Sequence, residues 1–418
     1  MVNGDGNQKG TGMPTIGFIN PPYSGSFTDY NDLLEFKRAN SDKTKNKNKK
    51  PWMKEISFLQ KMCRLCSRYV VMIAPPQTFM SKADIRNEIL KENTLKAVIT
   101  MPKDLFQPNA STGSAIIVIE TNKKHDYNKK VVFNNLASDG FELAKKKGRR
   151  DIYGKWNSIK KKLLLDIDAP LYNNPQNVDE ISCCFVEIKS NDEWLLQAHS
   201  KFDYEKLTDE HFIKTIKEYA IYHSKRDLDI LDKTIPESTL IDIFANISKE
   251  SMEKGEIVFN KKKHALKSIL DIFKKPRGVK KKISEKNLKP GDYNFISTSN
   301  KNFGFSGYHN EYCENENVFS VDSATDGKAF YQEYKFIGSD HVEILEPLDS
   351  LKQYFNIYVA LYLQTILNFY LDKYEYSRKR AHIRIVKEKL WLPIDENDNI
   401  DWNFMESYIK SLPFSSNI

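Results

Sequence analysis

Residues 18–23 of the chain read Phe-Ile-Asn-Pro-Pro-Tyr, so that an apolar run ends directly in the tetrapeptide NPPY. The run itself, Thr15–Ile19, is typical of a strand, and three similar runs follow it at Tyr69–Ala74, Leu95–Met101 and Ser114–Glu120. Amphipathic segments, which predict helices, alternate with the first three runs at Lys54–Arg68 and Ala83–Glu92. This alternation predicts an α/β fold built on half of a doubly wound sheet.

The NPPY tetrapeptide contains the groups that a methyl transfer to an exocyclic amine needs. The amine of adenine is a poor nucleophile because its lone pair is delocalised into the ring. The side-chain oxygen of Asn20 and the carbonyl of Pro21 can accept both amine hydrogens, while Pro21 and Pro22 hold the backbone rigid. Tyr23 can stack on a base extruded from the duplex. The four residues are therefore the predicted catalytic group, although Asn-Pro and Pro-Pro are also ordinary turn signals.

Around this motif the chain resembles the N6-adenine DNA methyltransferases of type I and related type IIG or IIB restriction-modification systems. The resemblance covers about the first 220 residues. It is carried by NPPY and by VVMIAPP (70–76), LKAVITMPKDLF (95–106), TGSAIIVIET (112–121), VVFNNLASDGFELAKKKGRRD (131–151) and DEWLLQA (192–198). It implies transfer of a methyl group from S-adenosylmethionine to adenine N6 in double-stranded DNA.

The same resemblance leads us to expect an incomplete cofactor site. In the family, a glycine-rich turn of the DPxxGxGG type precedes NPPY by many residues, whereas 19 residues precede Asn20 here. Gly4-Asp5-Gly6 is similar to a stretch that the family carries shortly before NPPY, so Asp5 and Asn20 are the candidate cofactor contacts. We expect a partial sheet that lacks the first, cofactor-binding strands and leaves the NPPY strand as an unpaired edge. Such a protein would be truncated or split and would need a partner for S-adenosylmethionine binding.

From Val279 onward the sequence resembles the target-recognition domain of type I specificity subunits. The resemblance is carried by SEKNLKPGDYNFISTSNKNFGFSGY (284–308), TDGKAFYQEYKFIGSDHVEILEP (325–347) and KYEYSRKRAHIRIVKEKLWLPID (373–395). It implies that loops between strands contact DNA. The candidate contacts are Lys280, Lys281, Lys282, Ser297, Thr298, Asn300, Lys301, Asn302, Arg378, Lys379 and Arg380. Arg378, Lys379 and Arg380 follow a predicted helix, where cations also stabilise the helix end, so DNA contact and capping stay equal alternatives.

Three regions are predicted along the chain. Residues 1–135 form the C-terminal part of the methyltransferase domain, residues 136–240 a helical connector, and residues 241–418 an α+β target-recognition domain with a long helix at Ser350–Tyr376. Only one recognition domain is found, whereas specificity subunits carry two. A single domain reads half of a bipartite site unless the protein dimerises or pairs with another specificity chain.

Composition adds weaker constraints. The formal net charge of +8 suits a polyanionic partner, but a biased composition explains it equally well. The Cys63 and Cys66 pair has CxxC spacing without a second pair, which favours reduced structural thiols over a metal site. The sequence shows no signal peptide and no membrane-spanning run, and this predicts a cytoplasmic protein without a membrane partner.

The sequence leaves two main hypotheses for function. In the first, the chain is a site-specific adenine methyltransferase that works with an upstream methyltransferase or nuclease half, or with a specificity or restriction subunit. In the second, it is a DNA-binding specificity module without catalytic activity of its own. A third, in which NPPY acts on RNA or on protein glutamine, is disfavoured by the recognition domain.

Overall fold

The computed structural model divides the chain into two compact units, Met1–Ser200 and Lys201–Ile418, which are described separately. The predicted connector at 136–240 contributes residues to both units. The described residues are 15–21, 54–80, 83–107, 113–144, 148–168, 181–199, 203–231, 233, 236, 239, 245, 247–253, 257–369, 371–374 and 378–418.

The first unit is an α/β structure, as the sequence predicted. Its described strands are β1 (Ile16–Ile19), β2 (Tyr69–Ala74), β3 (Thr94–Thr100), β4 (Ala115–Glu120), β5 (Val131–Leu136), β6 (Glu142–Ala144), β7 (Gly148–Arg150) and β8 (Ile181–Val186). Its described helices are α1 (Lys54–Leu65), α2 (Gln77–Met80), α3 (Ala83–Glu92), α4 (Trp156–Asp168) and α5 (Leu196–His199). The predicted strands and helices between residues 15 and 120 are present with ends shifted by a few residues at most.

Six of these strands form one mixed sheet in the order β1-β2-β4-β3-β5-β8. β1 runs parallel to β2 and β3 runs parallel to β5, whereas β4 runs antiparallel to both of its neighbours. The carboxyl ends of β1, β2, β3 and β5 therefore meet at one edge of the sheet, where ligands bind in open α/β sheets.

β1 lies at the end of the strand order within the described residues, and the unpaired edge expected for the NPPY strand stays a prediction. Its two faces differ. Gly17 lies so close to α1 that a Cβ atom there would come within 2.6 Å of Cys66 Sγ. On the opposite face, the side chain of Phe18 is 78% exposed and that of Ile16 is 45% exposed. The described chain thus leaves an apolar edge strand accessible.

The second unit is α+β, again as predicted for the recognition domain. Its described strands are β9 (His264–Ser268), β10 (Arg277–Gly278), β11 (Tyr293–Ile296), β12 (Phe305–His309), β13 (Val318–Asp322), β14 (Ala329–Gln332), β15 (Phe336–Gly338), β16 (Val342–Leu345) and β17 (Lys389–Pro393). Its described helices are α6 (Asp209–Asp227), α7 (Ile357–Phe369), α8 (His382–Ile385) and α9 (Trp402–Ser411). Three sheets result, in the orders β10-β16-β13-β14, β12-β11-β15 and β17-β9.

The central helix α7 is shorter than the predicted helix at 350–376. The Asn356 side chain accepts a hydrogen bond from the Val359 amide at 3.1 Å, which caps the new helix start, and the preceding residues Asp349–Tyr354 form a 3-10 segment. Nine of its side chains are buried, so that the apolar stripe expected for packing extends around most of the helix. Helices α6 and α9 pack against it in one hydrophobic core.

No helix within the described ranges combines the length and the apolar character needed to cross a bilayer.

Gly291 provides a test of the packing in the second unit. A Cβ atom at this position would lie 2.3 Å from the Cα atom of Asn310 and 2.5 Å from its amide nitrogen, and backbone atoms cannot move aside as a flexible side chain can. We expect Gly291→Ala to lower the free energy of unfolding by about 1–3 kcal/mol, measured by chemical denaturation. Gly278→Ala is the matched control, because its nearest atom is 4.0 Å away. Equal stability of the two variants would contradict this packing.

Candidate active site and nucleic-acid interface

The candidate catalytic residues begin where β1 ends. Asn20 follows the last residue of β1 and is exposed, whereas Pro21 is buried. A buried proline fixes the backbone next to Asn20, while the amide side chain stays accessible to a ligand. Pro22, Tyr23 and the candidate cofactor residue Asp5 lie outside the described residues. The described part of the motif therefore places an exposed amide beside a buried proline, and its catalytic role stays a prediction.

Neighbouring strands contribute buried hydroxyl groups near the same edge of the sheet. Thr100 is the last residue of β3, and Ser114 precedes β4 and accepts a hydrogen bond from the Met101 amide at 2.9 Å. The Thr100 Oγ1 and Ser114 Oγ atoms are both buried without a hydrogen-bond partner in the described part of the chain. Unpaired buried hydroxyls are uncommon because each loses its hydrogen bonds to water.

An ion-paired arginine joins two loops beyond this edge. The Arg149 guanidinium binds Asp139 at 2.8 and 2.9 Å and Asp104 at 3.2 and 3.3 Å. Asp104 lies after β3 and Asp139 after β5, so that one largely buried cation fixes the positions of both loops. Hydrogen bonding to Asp139 contributes most to the raised pKa of Arg149. Sequence reasoning missed this residue because its pairing with Asp104, 45 residues away, becomes visible only in the folded chain.

The Cys63 and Cys66 pair lies in the core of the first unit. Both side chains are buried, and burial, with a smaller contribution from Cys66, raises the pKa of Cys63 to about 12. A thiol with such a pKa stays protonated and is a poor metal ligand. Elsewhere in the described ranges, no group of three or more His, Cys, Asp or Glu side chains is arranged to hold a metal ion.

In the second unit, the three predicted lysine contacts are exposed and paired with acidic groups. Lys281 binds Glu311 at 2.5 Å and Lys282 binds Asp340 at 2.5 Å, while Lys280 lies 3.8 Å from Glu314. The pairs of Lys281 and Lys282 join exposed side chains and contribute little stability, so that these two lysines can exchange their partners for phosphate oxygens. Lys280, by contrast, is paired with the buried Glu314. The role of all three lysines in DNA binding stays a prediction.

One end of the three-stranded sheet brings two of the predicted groups together. β15 runs parallel to β11, and Gly338 at its end pairs with Ile296 on one side and with Lys282 on the other. The loop that begins at Ser297 therefore starts at the same end of the sheet as Lys282. The structure thus places Lys282, from the first group of predicted DNA contacts, and Ser297, from the second group, at the same end of this sheet, although they are separate in sequence.

The loop at residues 297–304 is extensively hydrogen-bonded. Ser297 Oγ lies 2.6 Å from Ser306 Oγ, and the Asn300 side-chain amide donates to Asp326 Oδ2 at 2.6 Å. Asn302 accepts a hydrogen bond from Lys225 Nζ at 3.3 Å, and burial lowers the pKa of this lysine. Thr298 is partly exposed, and Asn300 and Lys301 are exposed. The exposed side chains thus project from a backbone that is held in place.

The structure corrects the interpretation of Arg380 as a DNA contact. Its side chain is completely buried, binds both carboxylate oxygens of Glu388 at 2.9 and 2.6 Å, and donates to the Gly327 carbonyl at 2.9 Å. A guanidinium in this position cannot reach a phosphate. Arg378 is also buried and donates to the Lys373 carbonyl at 2.8 Å, whereas Lys379 is partly exposed. DNA contact by Arg378 and Lys379 stays a prediction.

Arg380→Ala separates a structural role from a DNA contact. Removing Arg380 leaves the largely buried Glu388 carboxylate without a cationic partner, with only the Tyr374 hydroxyl still bound to it, and we expect the free energy of unfolding to fall by about 3–5 kcal/mol. The salt dependence of DNA binding should stay unchanged in folded protein, whereas loss of a phosphate contact would lower the slope of log K against log salt by about 1. Lys387→Ala, which alters an exposed cation nearby, is the stability control.

Comparisons with known proteins agree with both parts of the description. Residues 9–227 match the family model described as N-6 DNA Methylase. Residues 260–416 match the model described as Type I restriction modification DNA specificity domain. The two matches follow each other along the chain in the order that the sequence motifs predicted.

Two curated relatives come from Heyndrickxia coagulans. The type II restriction enzyme and methyltransferase RM.BcgI is 29% identical over 146 residues, which cover 34% of this chain and 20% of the relative. The specificity subunit S.BcgI is 28% identical over 143 residues, which cover 33% of this chain and 40% of the relative. The matched regions are thus a fifth and two fifths of the lengths of these relatives.

A solved methyltransferase subunit of a type I restriction-modification system from Streptococcus thermophilus is 16% identical, with 44% of this chain and 37% of that chain covered and a TM-score of 0.31. A score this low does not define a common overall structure, so the family assignment depends on the sequence models. The methylase model covers more than half of the 418 residues, and the chain therefore belongs to the N-6 DNA methylase family, with a type I specificity domain in its C-terminal part.

Proposed function

We propose that this chain is the modification and target-recognition part of a restriction-modification system and transfers a methyl group from S-adenosylmethionine to adenine N6 at a specific DNA sequence. The observation that carries the proposal is the position of Asn20, which is exposed at the carboxyl end of β1 beside the buried Pro21. An amide fixed at this point can accept hydrogen bonds from the target amine and raise its nucleophilicity.

The NPPY residues have distinct roles in this proposal. The Asn20 side-chain oxygen and the Pro21 carbonyl bind the two amine hydrogens, and Pro22 limits backbone motion. Tyr23 stacks on the flipped adenine, whose amine is otherwise occupied in base pairing. Arg149 acts at a distance by holding the loops that contain Asp104 and Asp139 beyond the same edge.

S-adenosylmethionine supplies an electrophilic methyl group when it is bound. Of the two residues proposed to contact it, Asn20 lies at the accessible edge of the sheet, whereas Asp5 is outside the described residues. The described residues fit the acceptor side of the transfer and do not define a complete pocket for the methyl donor.

We also propose that a partner polypeptide completes the cofactor site. The accessible backbone edge of β1 and the exposed side chain of Phe18 support this, because an apolar edge strand favours pairing with a further strand. An upstream methyltransferase or nuclease half fits this role, and a specificity or restriction subunit or a second copy would provide the other half of a bipartite site. Double-stranded DNA is the substrate, which fits the cytoplasmic location predicted from the sequence.

The second candidate function is a DNA-binding specificity module without catalysis. The compact second unit, with its preformed loop at residues 297–304, favours it, because recognition by this unit does not require a complete methyltransferase site. The division into a methyltransferase part (1–135), a connector (136–240) and a recognition domain (241–418) remains part of both proposals.

Asn20→Ala tests the catalytic proposal. Transfer of tritium-labelled methyl groups from S-adenosylmethionine to genomic DNA is measured for the chain alone and with the polypeptides encoded beside it. We expect the active preparation to lose on the order of 100-fold or more in rate, because one preorganised polar contact in an active site contributes about this much. Asn128→Ala, which changes an exposed turn residue, is the control and should keep full activity.

The outcomes separate the two functions. Unchanged methyl transfer by Asn20→Ala would show that Asn20 is not catalytic. Sequence-specific DNA binding without methyl transfer in any preparation would establish the specificity module instead.

A further inference from the structure

We propose that Asn300 reads an adenine-containing base pair and that two supports, the buried Phe303 and the turn at residues 322–328, act as positioning elements for it. The inference rests on the target recognition in the proposed function and assigns it to a particular side chain.

The first support is a strained aromatic residue. Phe303 has φ +57° and ψ +34°, and it lies between Asn302 at φ +47° and Gly304 at φ +81°. Bulky side chains rarely adopt this left-handed region, so that the surrounding structure must hold Phe303 there. Its ring is buried and stacks on Tyr222 at 4.8 Å between centroids.

Further contacts fix the same residue. The Phe303 ring packs against Tyr219 at 5.4 Å and Phe330 at 5.1 Å, and its carbonyl accepts a hydrogen bond from Gln332 Nε2 at 2.8 Å. The backbone of the loop is therefore anchored in the core immediately after the exposed residues. A loop that only connects β11 to β12 does not need such strain, and strain of this kind accumulates at functional sites.

The second support is the turn that contains Asp326. Asp322 accepts hydrogen bonds from the amides of Ala324 and Thr325 and from the Thr325 hydroxyl, which closes the turn. Below it, the buried Arg380 donates to the Gly327 carbonyl at 2.9 Å and is held by Glu388. A continuous series of contacts thus leads from a buried ion pair to Asp326.

Asp326 in turn orients Asn300. Its Oδ2 atom accepts a hydrogen bond from Asn300 Nδ2 at 2.6 Å, although Asn300 is exposed and Asp326 is partly exposed. Such an exposed contact adds little stability, but it selects one orientation of the amide. The bond uses one of the two N–H groups of Asn300 and leaves its other N–H and its carbonyl oxygen for a ligand.

The groups left on Asn300 fit one base edge. A side-chain amide binds adenine in the major groove by accepting from N6 and donating to N7, which needs one oxygen and one N–H. Lys301 is exposed beside Asn300, and Lys282 lies at the same end of the three-stranded sheet, where both can contact phosphates that flank the base. The geometry therefore separates a base-reading group from phosphate-binding groups.

Selection from a pool of duplexes with 20 random base pairs tests this assignment. The full-length chain, with its partner polypeptides where they are needed, is compared with Asn300→Ala, Asp326→Ala and Asn260→Ala, and the bound DNA is sequenced. Asn260 is an exposed asparagine on another part of the unit and serves as the control. Thermal unfolding of each variant shows that it remains folded.

We expect the wild type and Asn260→Ala to enrich the same motif. Asn300→Ala should lose its preference for adenine at one position by about 5- to 140-fold, the discrimination of one bidentate contact, and should keep its affinity for unrelated DNA. Asp326→Ala should weaken the preference at that same position, which a merely structural role would not produce.

The alternative outcomes are distinguishable. A wild type that enriches no motif would overturn the target recognition of the proposed function, and this inference with it. A wild type that enriches a motif which Asn300→Ala also enriches would overturn this inference alone. A uniform loss of affinity in Asn300→Ala without a change of motif would assign Asn300 to phosphate and would likewise overturn the base-reading role.

Discussion

The buried ion pair between Arg380 and Glu388 fixes the turn at residues 322–328 of the second unit. Replacing such pairs with apolar residues is often neutral or even stabilising, so that stability alone does not explain a completely buried guanidinium. The third contact of Arg380, with the Gly327 carbonyl, fixes the turn that contains Asp326. Asp326 in turn accepts a hydrogen bond from Asn300 and orients its side chain. We therefore interpret the buried charge of Arg380 as a means of fixing the position of the backbone. In the first unit, Arg149 has the same role, because it binds Asp104 and Asp139 and so holds the two loops that contain them.

Sequence was sufficient for four of the six strands in the sheet of the first unit, because each of these four is an apolar run of its own, whereas β5 and β8 were not predicted. The strands at Tyr69–Ala74 and Ala115–Glu120 lie where alternation and flanking turn residues placed them, and the edge position of the NPPY strand was also predicted. We predict that chemistry, rather than packing, requires the residue types of the NPPY motif. Asn20 is correspondingly exposed, whereas Pro21 beside it is buried.

The contacts that hold the loop at residues 297–304 in place could not be predicted from the sequence. A left-handed Phe303 has no pattern in sequence, because the surrounding aromatic core imposes it. The bond between Asn300 and Asp326 joins residues 26 positions apart, and Asp326 could be recognised only as part of a turn. Arg380 looked like a surface cation at a helix end, since burial of a charge depends on a partner such as Glu388 that only the folded chain reveals.

In the loop at residues 297–304, the exposed residues are different from the buried residues that hold the loop in place. This difference affects which parts of the sequence can change during evolution. Thr298, Asn300 and Lys301 contribute little to the hydrophobic core, so that substitutions there change a surface without loss of folding. Phe303 and Arg380 are constrained by their neighbours and would tolerate far less change. A lineage under pressure to protect new DNA sequences could therefore acquire altered preferences through a few surface substitutions, while the scaffold below them stayed the same.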